Sequence, residues 1–201
     1  VASITEIFSG CIHLRRVNGK KIIIFIFIIL VFITGILLSE SAVKVLYPLK
    51  YRDLVARYSD RYGLDPYLVL AVIKVESSFR HRAVSPRNAR GLMQITEKTG
   101  KWGAEQTGLD GFTEEMLFDP ETNIQIGCWY LSRLYNEFGD TDLVIAAYNA
   151  GSGNVSKWLR NSELSLSGKS LDKIPFKETE KYLAKVKNSY QIYKMLYENE
   201  F

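Results

Sequence analysis

The sequence predicts an all-α domain preceded by one transmembrane helix, and three observations carry that prediction. Apolar residues recur at three- and four-residue spacing in one segment after another. No stretch sustains the two-residue alternation of a half-buried strand. One run of 17 residues near the start holds no charge. Of the 201 residues, 47% are hydrophobic and 24% charged, the balance of a globular chain with an apolar segment added. No internal repeat is evident.

The uncharged run, IIIFIFIILVFITGILL at 22–38, sits at the lower limit for a bilayer-spanning helix. Arg15, Arg16, Lys20 and Lys21 precede it and Glu40 follows. The excess of basic residues before the run puts residues 1–21 in the cytoplasm as a basic tail and everything after Ser39 outside. A cleaved signal peptide is the rival reading, because Ser39 and Ser41 are small residues near a suitable position. The apolar run is longer than a usual signal core, which favours an uncleaved anchor. Gly35 alone is no helix-pairing motif, so protein partners of this segment stay unknown. Residues 39–50, interrupted by Pro48, form a linker, and 51–197 form the domain.

Within the domain, residues 50–62 read as an amphipathic helix stopped by Gly63. Asp65-Pro66 supplies an N-cap and a first-turn proline for a helix ending at Ser77. Residues 80–90, with Pro86 and Asn88, are loop, and Gly91 is expected to open a short helix through Lys98. A further turn is expected over 113–117. Asp119-Pro120 repeats the cap-and-proline start, and Ile124, Ile126, Trp129, Tyr130, Leu134 and Phe138 carry a helical stripe to Gly139. Helices are expected over 142–149 and from Val155 to Leu159. Residues 162–175 are polar loop, and Tyr182, Val186, Tyr190 and Tyr193 mark a closing helix over 177–197.

One position stands out chemically. Val69, Val72, Ile73 and Glu76 fall on a single helix face, so the carboxylate lies on the buried stripe at the end of the helix. Desolvation and the negative end of the helix dipole both disfavour the charged form and raise the pKa. A carboxyl protonated near neutrality is a general acid.

Composition narrows the alternatives. The first 38 residues carry four of the 26 Lys+Arg and one of the 22 Asp+Glu, leaving 22 against 21, too even for a general electrostatic grip on nucleic acid. Cys11 and Cys128 fall on opposite sides of the expected membrane and do not pair; Cys128, within IQIGCWYL, is expected in the core. His13 lies in the tail, which leaves His81 as the one histidine outside. That inventory argues against a histidine or cysteine metal centre, no cofactor motif is complete, and no GxSxG accompanies His81. Gly168-Lys169-Ser170 ends like a phosphate loop, but the first required glycine is Glu163.

Four motifs stand in order: Glu76-Ser77, Gly91-Leu92-Met93-Gln94, Ala147-Tyr148-Asn149-Ala150-Gly151, and Pro175 with Glu178-Thr179 and Tyr182. Together, from about Tyr51 to Tyr197, they resemble the catalytic domain of soluble-type lytic transglycosylases, a lysozyme-like all-α family related to goose-type lysozymes. The resemblance implies a bacterial cytoplasmic-membrane protein with its domain on the extracytoplasmic side and peptidoglycan glycan strands as partner. It implies that Glu76 protonates the bond between N-acetylmuramic acid and N-acetylglucosamine, then as base closes a 1,6-anhydro ring from the sugar's own C6 hydroxyl. It places Ser77, Met93, Gln94, Tyr148, Asn149, Glu178 and Tyr182 along the sugar groove, the alternatives being that Met93 fills the core and that Glu178 pairs with an arginine or lysine.

The acidic residues bear on that chemistry as well. Most glycosidases need two carboxylates, yet no acid stands between Ser77 and Thr96, and Thr96 occupies the place where goose-type lysozymes commonly carry Asp. A tethered hydroxyl has high effective molarity and needs no second carboxylate. Glu97, Glu105 or Asp110 remain candidates for a base supplied from a distance, which would make the protein a hydrolytic muramidase. A catalytically idle peptidoglycan-binding module is the remaining alternative. Arg80, Arg82, Arg87 and Arg90 form a basic loop, read equally as a solvated loop or as an attractor of substrate carboxylates.

Overall fold

The structure, a computed structural model, describes residues 19–198, 200 and 201. Most of the expected basic tail, with Cys11, His13, Arg15 and Arg16, lies outside the described residues. The chain divides into two compact units, Val1–Val45 and Leu46–Phe201. In the first, α1 runs over Gly19–Leu46, and its apolar side chains from Ile22 to Ile33 are exposed. Side chains of Lys21 and of residues 36–40 are not described, so part of the expected 22–38 span falls outside them. Among the described residues no helix is long and apolar enough to cross a membrane.

The second unit is helical throughout, with only the isolated bridges Val84 to Arg90 and Arg90 to Ile95 among its described residues. Helix α2 (Arg52–Tyr62) ends on Gly63 at φ 64. Helix α3 (Pro66–Ser77) starts where expected, the Asp65 carboxylate accepting from the Tyr67 N–H at 2.8 Å. Its residues Leu68 to Ile73 are each at most 1% exposed. A helix covered on every side must lie at the centre of its unit, and α3 packs on α2 and on α8 (Lys177–Leu196). Of the other helices, α5 (Pro120–Phe138) packs on α2, on α4 (Glu97–Thr107) and on α6 (Thr141–Ala150), and α6 packs on α7 (Ser152–Leu159) and α8, with a 3-10 turn at Glu114–Phe118. Cys128 is fully buried in this core, and burial raises its thiol pKa, whereas His81 is exposed.

The expected helix over 91–98 does not form. Gly91 and Gln94 take left-handed backbones, φ 77 and φ 50. Arg90 and Ile95 exchange backbone hydrogen bonds at 2.9 and 3.0 Å, closing a tight loop. Thr96 then caps α4, its hydroxyl accepting from the Thr99 N–H. Helix α4 runs instead over Glu97–Thr107, a segment given no helix in the sequence pattern beyond Lys98, and its Gly100 and Gly103 serve packing. A Cβ on Gly103 would stand 2.6 Å from Ile126 of α5, so the gap in the apolar pattern is the contact between the two helices.

Candidate active site

Glu76 occupies the last turn of α3, where the carbonyl end of the helix opposes a negative charge. Beyond it, Ser78 and Phe79 both adopt positive φ, 51 and 63, and turn the chain sharply away. The carboxyl is half-buried, and loss of solvent raises its pKa to about 7 against the opposing effect of a hydrogen bond from Tyr182. The Tyr182 hydroxyl donates to Oε1 at 2.7 Å from α8. Burial and the neighbouring Glu76 push the Tyr182 phenol well above its usual range, so it stays protonated as a donor.

Tyr148 stands near the end of α6, its hydroxyl donating to the Met93 carbonyl at 2.8 Å. Its phenol too is raised, first by burial and then by Glu76. Asn149 accepts from the Thr179 hydroxyl at 2.8 Å, tying the end of α6 to the start of α8. Gln94 donates from Nε2 to the Gly91 and Ala83 carbonyls at 2.9 and 3.2 Å. Glu178, exposed on the first turn of α8, pairs with Arg87 at 3.1 Å.

These groups surround one groove. A depression of about 420 Å³ is lined by Glu76, Gln94, Thr96, Tyr148, Asn149 and Glu178 on one side and by the 85–89 loop on the other. A second, of about 210 Å³, shares Gln94, Thr96, Tyr148 and Asn149 and continues past Thr99 and Tyr130 to Gly151. Tyr148 therefore sits between two halves of a continuous cleft. A larger hollow of about 570 Å³ beside Asp65 and Tyr67 contains none of the candidate residues.

Two expected groove residues are placed elsewhere. Met93 is fully buried, its sulfur filling the notch left by Gly127 of α5, where a Cβ would come within 2.2 Å of it. Its backbone alone serves the site, through the carbonyl that holds Tyr148. Ser77 is 1% exposed and its hydroxyl donates to the Ile73 carbonyl at 3.2 Å, a bond within the helix. Its proximity to Glu76 in sequence does not bring it into the cleft, because adjacent helical residues point about 100° apart.

Asn123 is a residue the sequence reading passed over. Fully buried, it accepts from the Met93 N–H at 2.7 Å and donates to the Leu117 and Arg90 carbonyls at 2.8 and 3.0 Å. The signal was present: a polar amide beside Ile124 and Ile126, one turn into a capped helix.

The acids suggested as a remote base do not line the groove. Glu97 pairs with Lys101, while Glu105 and Asp110 line a separate hollow with Phe112. Among the groove-lining residues the carboxyls are Glu76 and Glu178, and the second is paired with Arg87. The basic loop is largely engaged within the protein: Arg80 donates to the Ser77 carbonyl, and Arg90 pairs with Glu114 and Glu115. A half-buried carboxyl near neutrality, held by a tyrosine hydroxyl on the wall of a groove, can deliver a proton to a bound oxygen and take one back.

A model of the Transglycosylase SLT domain matches residues 53–167. The soluble lytic murein transglycosylase of Escherichia coli K12 is 37% identical over 143 residues, 70% of this chain and 22% of that protein. Membrane-bound lytic murein transglycosylase C of Edwardsiella ictaluri is 41% identical over 123 residues, 53% of this chain and 32% of that protein. An inactive glutamate-to-glutamine variant of lytic transglycosylase Slt from Pseudomonas aeruginosa superimposes with a TM-score of 0.68 at 31% identity, covering 76% of this chain and 25% of that one. The 70 kDa soluble lytic transglycosylase of Escherichia coli gives 0.66 at 35% identity, covering 74% and 25%. This chain thus spans about a fifth to a third of the length of these relatives.

Proposed function

Since this chain belongs to the SLT transglycosylase family, we propose that it cleaves peptidoglycan as a lytic transglycosylase, with Glu76 as the single acid and base. The observation that carries the reading is the environment of Glu76: a carboxyl raised to about 7 by burial, aligned by Tyr182, in a groove whose other acid is tied to Arg87.

Glu76, protonated, donates to the glycosidic oxygen between N-acetylmuramic acid and N-acetylglucosamine as the C1–O bond breaks. The acetamido oxygen of the muramic residue supports the developing positive charge at C1. The C6 hydroxyl of the same sugar then attacks C1, Glu76 takes its proton, and a 1,6-anhydro ring closes. No water is consumed, and the carboxyl returns to its starting state. Tyr182 stabilises the carboxylate between the two proton transfers, and Tyr148 and Gln94 border the reacting sugars from positions locked by backbone hydrogen bonds.

The α1 helix we read as an uncleaved membrane anchor, residues 22–38, with the groove-bearing unit on the extracytoplasmic side. The four basic residues before the run support that orientation, and the membrane-bound relative supports membrane association alone.

Digestion of sacculi in heavy-oxygen water tests the chemistry. The expected products end in 1,6-anhydro-N-acetylmuramic acid without solvent oxygen, and Glu76→Gln yields none. Reducing ends carrying solvent oxygen as the main species would make the protein a muramidase.

A further inference from the structure

Past Tyr148 the groove runs along the faces of α4 and α5, where Thr99 and Tyr130 line it. One helical turn beyond each, at Trp102 and Arg133, stands a pair that the proposed reaction does not use. The Arg133 guanidinium lies over the Trp102 ring, 5.2 Å from its centroid. Trp102 is 39% exposed and fixed from beneath by Trp129, edge-on at a centroid distance of 4.8 Å, with Tyr130 at 6.5 Å. Aromatic contact thus runs without a break from Tyr148 through Tyr130, 5.5 Å apart, to the rings that hold Arg133.

Arg133 is exposed, and among the described residues no carboxylate forms an ion pair with it. Glu137, one turn further along α5, lies near the hydroxyl of Ser156 instead. Arg80, Arg87 and Arg90, by contrast, are engaged within the protein. A guanidinium held over an indole face keeps its charge beside an apolar surface, and its fork of N–H donors suits a planar carboxylate. The stacking also lowers the ordering cost of a long side chain.

We propose that Trp102 and Arg133 form a distal subsite, at the far end of the groove from Glu76, that binds a carboxylate of the peptide stem carried by a neighbouring muramic residue. This rests on the reading of the groove as a peptidoglycan site and adds a preference to it: stem-bearing strands with free carboxylates over uncharged ones. Arg133 is a specificity-determining residue and takes no part in the proton transfers.

The test compares stem-bearing glycan strands with the same strands after their carboxyl groups are converted to amides, using the full chain in detergent. Wild-type protein is expected to show a kcat/KM about fivefold higher on the carboxylate form, the upper end for an exposed ion pair, expressed in KM and reduced by added salt. Arg133→Ala is expected to lose that preference by raising KM on the carboxylate form alone, and Trp102→Ala to lose most of it. Arg133→Lys is expected to recover only part, since an ammonium neither stacks flat nor binds bidentately. Equal losses on both substrates, or an unchanged preference in Arg133→Ala, would overturn the subsite while leaving the proposed function standing. Failure of the wild type to release anhydro products from either substrate would instead sink the proposed function.

Discussion

A carboxyl that titrates near 7 inside a folded protein links stability to pH. Glu76 has an ordinary value of 4.5 and is raised to about 7 by burial. Between these values the folded state binds the proton more tightly than the unfolded chain, so stability falls as pH rises through that window, by roughly 3 kcal/mol in total. Glu76→Gln removes the dependence. Urea denaturation of the two proteins is expected to show the variant gaining on the wild type from pH 4.5 upward and levelling off above 7; a constant difference across that range would mean the carboxyl is not perturbed. The rate should follow the same proton, falling about tenfold per pH unit above 7 as the acid form is lost. Tyr182 tests the assignment further. Its hydrogen bond favours the charged form, so Tyr182→Phe is expected to move the basic limb of the rate profile to higher pH and to lower the maximal rate. A limb that moves down or stays in place would assign that titration to another group.

The element that sets the groove wall is the loop from Arg90 to Thr96, and it depends on two residues with no role in proton transfer. At Gly91 a Cβ would meet the Leu117 carbonyl at 2.1 Å and the Asn123 amide at 2.2 Å, on a backbone with φ 77. Gly91→Ala is expected to cost about 3 kcal/mol from strain and overpacking together. Asn123→Ala leaves the Met93 N–H and the Leu117 carbonyl without their partner and should cost a similar amount, about 3 kcal/mol, read as a lowered urea midpoint. A loss below about 1 kcal/mol in either would show that the loop is not anchored there. This loop is also where sequence reading and structure part. Gly-Leu-Met-Gln has no proline and three good helix formers, and local preference favours a helix. Asn123, thirty positions away, satisfies the backbone groups a helix would have used, so a long-range bond overrides the local preference. The helix boundaries at Asp65-Pro66, Asp119-Pro120, Gly63 and Gly139 were legible because their caps are local: the side chain or glycine that ends the helix stands within three residues of the groups it satisfies.

For the molecule as a whole, the core assembled from Tyr47 to Tyr197 belongs to one unit, Leu46–Phe201. A fragment of residues 46–201 is therefore expected to be monodisperse without detergent, to unfold in one cooperative transition and to retain turnover on sacculi. Loss of cooperativity on removing residues 1–45 would show that the first unit supports the second. Protease added to spheroplasts is expected to remove the groove-bearing unit from the membrane fraction, and its protection would reverse the proposed orientation. By itself the sequence determined the helical class, the capped ends of most helices, Glu76 as the perturbed acid, and the single uncharged run, because each follows from periodicity, capping chemistry or composition within a few residues. Packing between helices is what turns Met93 and Ser77 to the core, pairs Glu178 with Arg87, lets Asn123 anchor the groove wall, and sets Arg133 over Trp102. Each of these depends on which side chain from a distant helix arrives opposite, and a pattern read along one chain carries the direction of a side chain but not the identity of what it meets.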